Sequence, residues 1–209
     1  MLNLISSKSK LAIELSRLNG FENPKLLLEQ YPLDSETASL ILWTAFLNQD
    51  IEGKVIADLG SGPGILAKGC LLLGAGKVYL VEKDPEAIKI SKQNIKEKKA
   101  VFINQDIKDF NKQVDTVIQN PPFGTKTRHA DKIFLEKAMS LSSTIYSLHK
   151  ITSKGFISAL AHDNQFTIQQ IIPIKMQLKP TYRFHQKPKK QIELGLWVLK
   201  KKKILKDIS

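Results

Sequence analysis

The stretch "VIADLGSGPG", residues 55–64, limits the folds open to this chain more than any other part of it. An apolar, β-branched run ends in three glycines spaced two apart, and an apolar helical pattern follows at once. A strand that turns this tightly into a helix is the ligand-binding corner of a doubly wound α/β sheet. The downstream pattern agrees. Strands are expected at residues 54–60, 77–82, 100–105, 115–120 and 143–149, with helices at 65–73, 85–98, 131–141 and 152–161 between or after them. Two further extended segments, 166–177 and 191–200, have no helix between them and are expected to pair antiparallel. The expected fold is therefore α/β and Rossmann-like. It is a mostly parallel seven-stranded sheet with a C-terminal antiparallel strand and helices on both faces.

At 209 residues with 42% hydrophobic content, the chain can build one core. The expected organisation is a single domain over residues 1–209. Residues 1–50 form a helical extension, 51–200 the catalytic α/β core and 201–209 a basic tail. Leu11, Leu15 and Leu18 recur at helical spacing near the start, and residues 38–47 read as an apolar helix entered through a turn at 32–35. No apolar run is long enough to cross a bilayer, and the N-terminus has no signal-peptide pattern. Cys70 is the single cysteine, which rules out an internal disulfide and a cysteine-built zinc site. No metal is expected, and the expected location is cytoplasmic.

The net charge of +12 is unevenly spread: residues 179–206 hold ten Lys/Arg and one acid, Glu193. In "KPTYRFHQKPKK", Tyr182, Phe184 and His185 are interleaved with Arg183, Lys187, Lys189 and Lys190. Cations that meet phosphates, set among rings that stack on bases, point to RNA or DNA as partner.

Gly60, Gly62 and Gly64 would let the loop approach a ligand closely, with Ser61 among them. A dinucleotide fingerprint needs glycine where this chain has Ile65, and Pro63 sits inside the loop. Glu82 ends the next strand where a carboxylate can accept both hydroxyls of a ribose, with Lys83 beside it. A ribose-bearing ligand without a pyrophosphate points to S-adenosylmethionine, and Asp58 before the loop belongs to the same site.

"DLGSGPG" and "VEKDPEAI" resemble the first two motifs of class I S-adenosylmethionine-dependent methyltransferases. By that resemblance Glu82 holds the ribose, Asp106 meets the adenine amino group and Ile107 lies beside the ring. The alternative for Asp106 is a turn cap; Asp84 reads as a helix cap. "NPPF", Asn120 to Phe123, is similar to the Asn-Pro-Pro-aromatic motif of enzymes that methylate planar nitrogens. The Asn120 side-chain oxygen and the Pro121 carbonyl can each accept one N–H of an exocyclic amine. Pro121 and Pro122 fix the backbone and remove competing N–H groups, and Phe123 offers a face for the base.

"LEQYP" (28–32), "NPPFGTK" (120–126), "FLEKA" (134–138), "YSLHK" (146–150) and "YRFH" (182–185) resemble, in the same order, the archaeal and eukaryotic methyltransferase-like protein five family. The resemblance spans about residues 25–200. It implies N6-methylation of an adenine in small-subunit ribosomal RNA. It also implies a small zinc-binding activator subunit, added to the sheet at the edge strand 100–105. Where the family has Thr and a basic residue after "EQYP", this chain has Leu33 and Asp34. Gln30, Tyr31 and Thr37 remain to close over the methionine end of the cofactor. Lys126, Arg128, His149 and Lys150 are expected to contact RNA. Two other readings use the same residues: a protein glutamine methyltransferase, and a non-catalytic RNA-binding module on this fold.

Overall fold

The computed structural model describes residues 5–123, 130–178 and 190–202. Helices α1 (Lys8–Ser16) and α2 (Ser35–Leu47) precede the sheet. Then follow β1 (Val55–Leu59), α3 (Ile65–Leu72), β2 (Lys77–Glu82), α4 (Pro85–Asn94), β3 (Ala100–Asn104) and β4 (Thr116–Gln119). The chain continues with α5 (Ala130–Leu141), β5 (Thr144–Lys150), α6 (Lys154–Asp163), β6 (Phe166–Leu178) and β7 (Lys190–Lys201).

The seven strands lie in the order β3-β2-β1-β4-β5-β7-β6. All lateral pairings are parallel except those of β7, which runs against both β5 and β6. The chain leaves β1 toward β2 on one side and finds β4 on the other, so the crevice at their C-terminal ends is the topological switch point. The seven-stranded, mostly parallel expectation holds, down to the terminal antiparallel pairing.

Alternation along the strands divides the interior into two cores. Ile56, Ile118, Tyr146 and Val198 face α1, α2 and α3. Ala57, Val117, Ile145 and Trp197 face α5 and α6. Both faces are covered, so β4 is buried along its whole length and β5 as far as His149, polar side chains included. Asp34 caps α2, its carboxylate accepting the Thr37 amide at 2.8 Å. One helix ends earlier than expected. The pattern from Pro85 predicts a helix to residue 98, but α4 stops at Asn94 because Ile95 turns extended (φ −123°, ψ 119°) and enters the core at 2% exposure.

Candidate active site

At the switch point a cavity of about 390 Å³ opens between the glycine loop, the end of β2, the start of the 3-10 turn Ile107–Asp109 and the Asn120 corner. A parallel sheet places the C-terminal ends of β1, β2 and β4 on one edge, which brings residues far apart in the chain to this crevice.

The glycine loop is held from beneath and across. Asp58 is buried and accepts the Ala67 amide in the first turn of α3 at 3.0 Å. Burial, helped by the nearby charge of Glu82 and opposed by the Ala67 N–H, pushes its carboxyl up to about 7. Glu82 uses both oxygens on backbone: Oε2 accepts the Gly62 N–H and Oε1 the Asp84 N–H, each at 2.9 Å. Burial raises its pKa against those two bonds. Gly60 (φ 69°) and Gly62 (φ 51°) take a left-handed backbone, and an added Cβ would come within 2.9 Å of the Phe134 and Phe21 rings respectively.

Among the described residues, two buried polar atoms of the wall, the Ser61 hydroxyl and Asn120 Oδ1, have no hydrogen-bond partner. Orphaned groups of this kind cost free energy unless a ligand satisfies them. With bare glycine backbone and the carboxylates of Asp58, Glu82 and Asp106 around them, these residues fit S-adenosylmethionine. The cavity volume also falls within the range of small-molecule sites.

Of the expected cofactor residues, Gln30, Tyr31, Asp58, Gly60, Ser61, Gly62, Glu82, Lys83, Asp106, Ile107 and Asn120 all line the cavity, as do Pro121, Pro122 and Phe123. Asp106 caps the 3-10 turn, its Oδ1 accepting the Lys108 amide at 3.0 Å, and it also lines the cavity. Gln30 lines the wall with its amide already engaged by Lys25 and Asp84. Phe123 is only 8% exposed and packs into the core beside α1 and α2, so its ring faces both interior and cavity.

Three expectations need correction. Thr37 does not line the cavity: its hydroxyl and amide are both consumed by the Asp34 cap, and it is buried. Gly64 likewise lies off the cavity, at the start of α3, where a Cβ would meet Ile95 Cδ1 at 3.0 Å. His149, expected to contact RNA, is 1% exposed beneath the surface. Gln119 Nε2 donates to Ser147 Oγ at 2.9 Å, and the same hydroxyl is hydrogen-bonded to His149 Nε2 at 2.7 Å. Burial lowers the His149 pKa to about 3, so the ring is neutral.

Lys150 ends β5, half-buried on the cavity edge of the sheet, and Lys190 opens β7. Lys126, Arg128, Arg183, Phe184, His185, Lys187 and Lys189 lie outside the described residues. The sequence reading missed Phe21, Asn94 and Phe134, and it left Leu33 and Asp34 without a role; all five line the cavity. An aromatic after glycine in the polar stretch "NGFEN" was the available signal for Phe21. Asn94 carried none.

A buried acid at the end of β2 facing a glycine turn, on a sheet of this strand order, places the chain among the class I S-adenosylmethionine-dependent methyltransferases. Residues 32–144 match the methyltransferase small domain family. The chain is 36% identical over 190 residues to the rRNA N(6)-adenosine-methyltransferase METTL5 of Danio rerio, covering 86% of this chain and 92% of that one. It is 34% identical over 199 residues to the Drosophila melanogaster rRNA N(6)-adenosine-methyltransferase Mettl5, covering 90% and 93%. The crystal structure of a Pyrococcus horikoshii protein superposes with a TM-score of 0.88 at 39% identity, covering 94% of this chain and 97% of the other. The chain belongs to the methyltransferase small domain family and, within it, to the METTL5 family.

Proposed function

We propose that this protein transfers a methyl group from S-adenosylmethionine to the N6 amine of an adenine in small-subunit ribosomal RNA. The observation that carries the reading is Asn120 Oδ1, a buried acceptor on the cavity wall with no hydrogen-bond partner among the described residues. Adenine's exocyclic amine is a poor nucleophile because its lone pair is delocalised into the ring. Asn120 Oδ1 accepts one of its N–H bonds and the Pro121 carbonyl the other. Accepting both draws the nitrogen toward tetrahedral geometry and frees the lone pair for attack, which is positioning plus electrostatic stabilisation.

Pro121 and Pro122 bring no N–H of their own to compete for those acceptors and hold the corner rigid. Phe123 takes the base on its ring, worth about 1–3 kcal/mol, once the base has left its stack. Ser61, Glu82 and Asp106 hold the cofactor, and Asp58 secures the loop beneath it. S-adenosylmethionine, when bound, supplies an electrophilic methyl on a sulfonium centre.

The names of the relatives support ribosomal RNA and adenosine N6 as the target. Small-subunit specificity and a cytoplasmic location extend that reading. The sheet edge at β3 supports a partner as well. Ala100 to Ile103 are half-buried, and β2 is the only strand beside them among the described residues. A small zinc-binding activator adding a strand there would cover an edge that is otherwise a liability.

The test is methyl transfer by the purified chain, with and without such a subunit, onto small-subunit rRNA. Nucleoside mass spectrometry is expected to find N6-methyladenosine. Label in protein glutamine and none in RNA would overturn the reading.

A further inference from the structure

Nearly half of the residues lining the cavity precede β1. Most belong to a strap, residues 19–33, that joins α1 to α2 and contributes no strand to the sheet. A simple connection between two packed helices has no need to reach the glycine loop. This one does, and polar latches hold both of its ends.

At the first latch Asn94, the last residue of α4, donates from Nδ2 to the Asn19 carbonyl and to the Pro63 carbonyl of the glycine loop, each at 2.9 Å. Its Oδ1 accepts the Asn19 N–H at 3.0 Å. One side chain thus ties strap, helix and loop together. At the second latch Lys25 Nζ lies 2.8 Å from Asp84 Oδ1 and 2.9 Å from Glu86 Oε2. Gln30 Nε2 donates to Asp84 Oδ2 at 2.7 Å, while Gln30 Oε1 accepts the Lys25 amide at 2.8 Å. Asp84 also caps α4, and the strap's bonds outweigh the effect of burial and hold its carboxyl below the ordinary range. Between the latches the Phe21 ring covers Gly62, and within the second latch Glu29 carries a left-handed backbone at φ 50°, a conformation non-glycine residues hold only under constraint.

We propose that Asn94 and Asp84 are positioning residues that hold the strap closed against the cofactor cavity, and that release of the strap sets the rate of cofactor exchange. The inference rests on the S-adenosylmethionine reading above. The second latch is a charge pair with Lys25 42% exposed, so salt weakens it, whereas the neutral Asn94 latch is insensitive to salt.

The experiment measures dissociation of S-adenosylhomocysteine by stopped-flow from the full chain and from Asn94→Ala and Lys25→Ala. Each variant is expected to release the ligand about tenfold faster, equivalent to about 1.4 kcal/mol. For Lys25→Ala, KM for S-adenosylmethionine rises while kcat holds, a split that general destabilisation would not produce. Raising the salt speeds release from the unsubstituted chain and leaves Lys25→Ala unmoved. Lys25→Ala keeps the Asp84 cap intact and carries the test alone if Asn94→Ala fails to fold. Unaltered release from Lys25→Ala, with binding intact in the unsubstituted chain, overturns the strap. Failure of the unsubstituted chain to bind either ligand overturns the cofactor reading and the inference with it.

Discussion

Glu82 Oε2 accepts the Gly62 N–H at 2.9 Å, joining two motifs twenty residues apart in the chain. With Oε1 on the Asp84 amide, the carboxylate accepts from two backbone donors at once. Glu82→Gln therefore sets an NH₂ group against a backbone N–H. The expected result is a loss of about 1–3 kcal/mol of stability and at least tenfold weaker binding of S-adenosylmethionine, read by thermal melting and calorimetry.

Two buried titrating groups, Asp58 and His149, work in opposite directions over one pH range. Asp58 titrates near 7 in the fold against 3.8 ordinarily, so the native state holds the extra proton and this group's stabilisation is lost as pH rises from about 4 to 7. His149 titrates near 3 against 6.5, so the unfolded chain holds the proton and stability is lost as pH falls below 6.5. Each slope approaches about 1.4 kcal/mol per pH unit where it is fully developed. Asp58→Asn should steepen the loss of stability on acidification between pH 6 and 4, and His149→Gln should reverse its sign. Denaturant titrations of the three proteins across that range check both.

Gly69 in α3 lies where an added Cβ would overlap Leu42 Cδ1 of α2, so the N-terminal helices pack on the α/β core through bare backbone. Gly69→Ala is expected to cost about 1–3 kcal/mol by overpacking. A paired Leu42→Ala should recover part of the loss, a non-additivity that a double-mutant cycle would measure.

The sheet was legible in the sequence because β-branched runs ended at glycine or at acids, and a parallel sheet gathers those ends on one edge. That logic brought Asp58, Glu82, Asp106 and Asn120 together correctly. It failed where the decision depends on what covers a residue. In "YSLHK" the alternation places Tyr146 and Leu148 in one core and Ser147 beside His149 on the other face; sequence alone leaves open whether that second face is buried. The turn at 32–35 signals a helix cap, but nothing in the spacing says that Asp34, as that cap, takes the Thr37 hydroxyl as well as its amide. The strap escaped notice because it is aperiodic: hydrogen bonds to Asn94 and Asp84 place it, and these leave no spacing to read.

Phe123 and Asn120 separate binding of the base from activation of its amine. Phe123 is 8% exposed and shared between the core and the cavity, so Phe123→Ala would confound lost stacking with a cavity costing about 3–5 kcal/mol. Phe123→Leu fills most of that space and removes the aromatic face. It should lower kcat/KM for RNA by about 10- to 100-fold, in line with stacking of about 1–3 kcal/mol, with cofactor affinity and melting temperature nearly unchanged. Asn120→Ala removes an acceptor that has no partner among the described residues, so folding has little to lose. Methyl transfer should vanish while cofactor binding stays within a few-fold and RNA binding persists. Turnover near that of the unsubstituted protein in Asn120→Ala, measured with labelled S-adenosylmethionine, would rule out this residue as the acceptor that activates the amine.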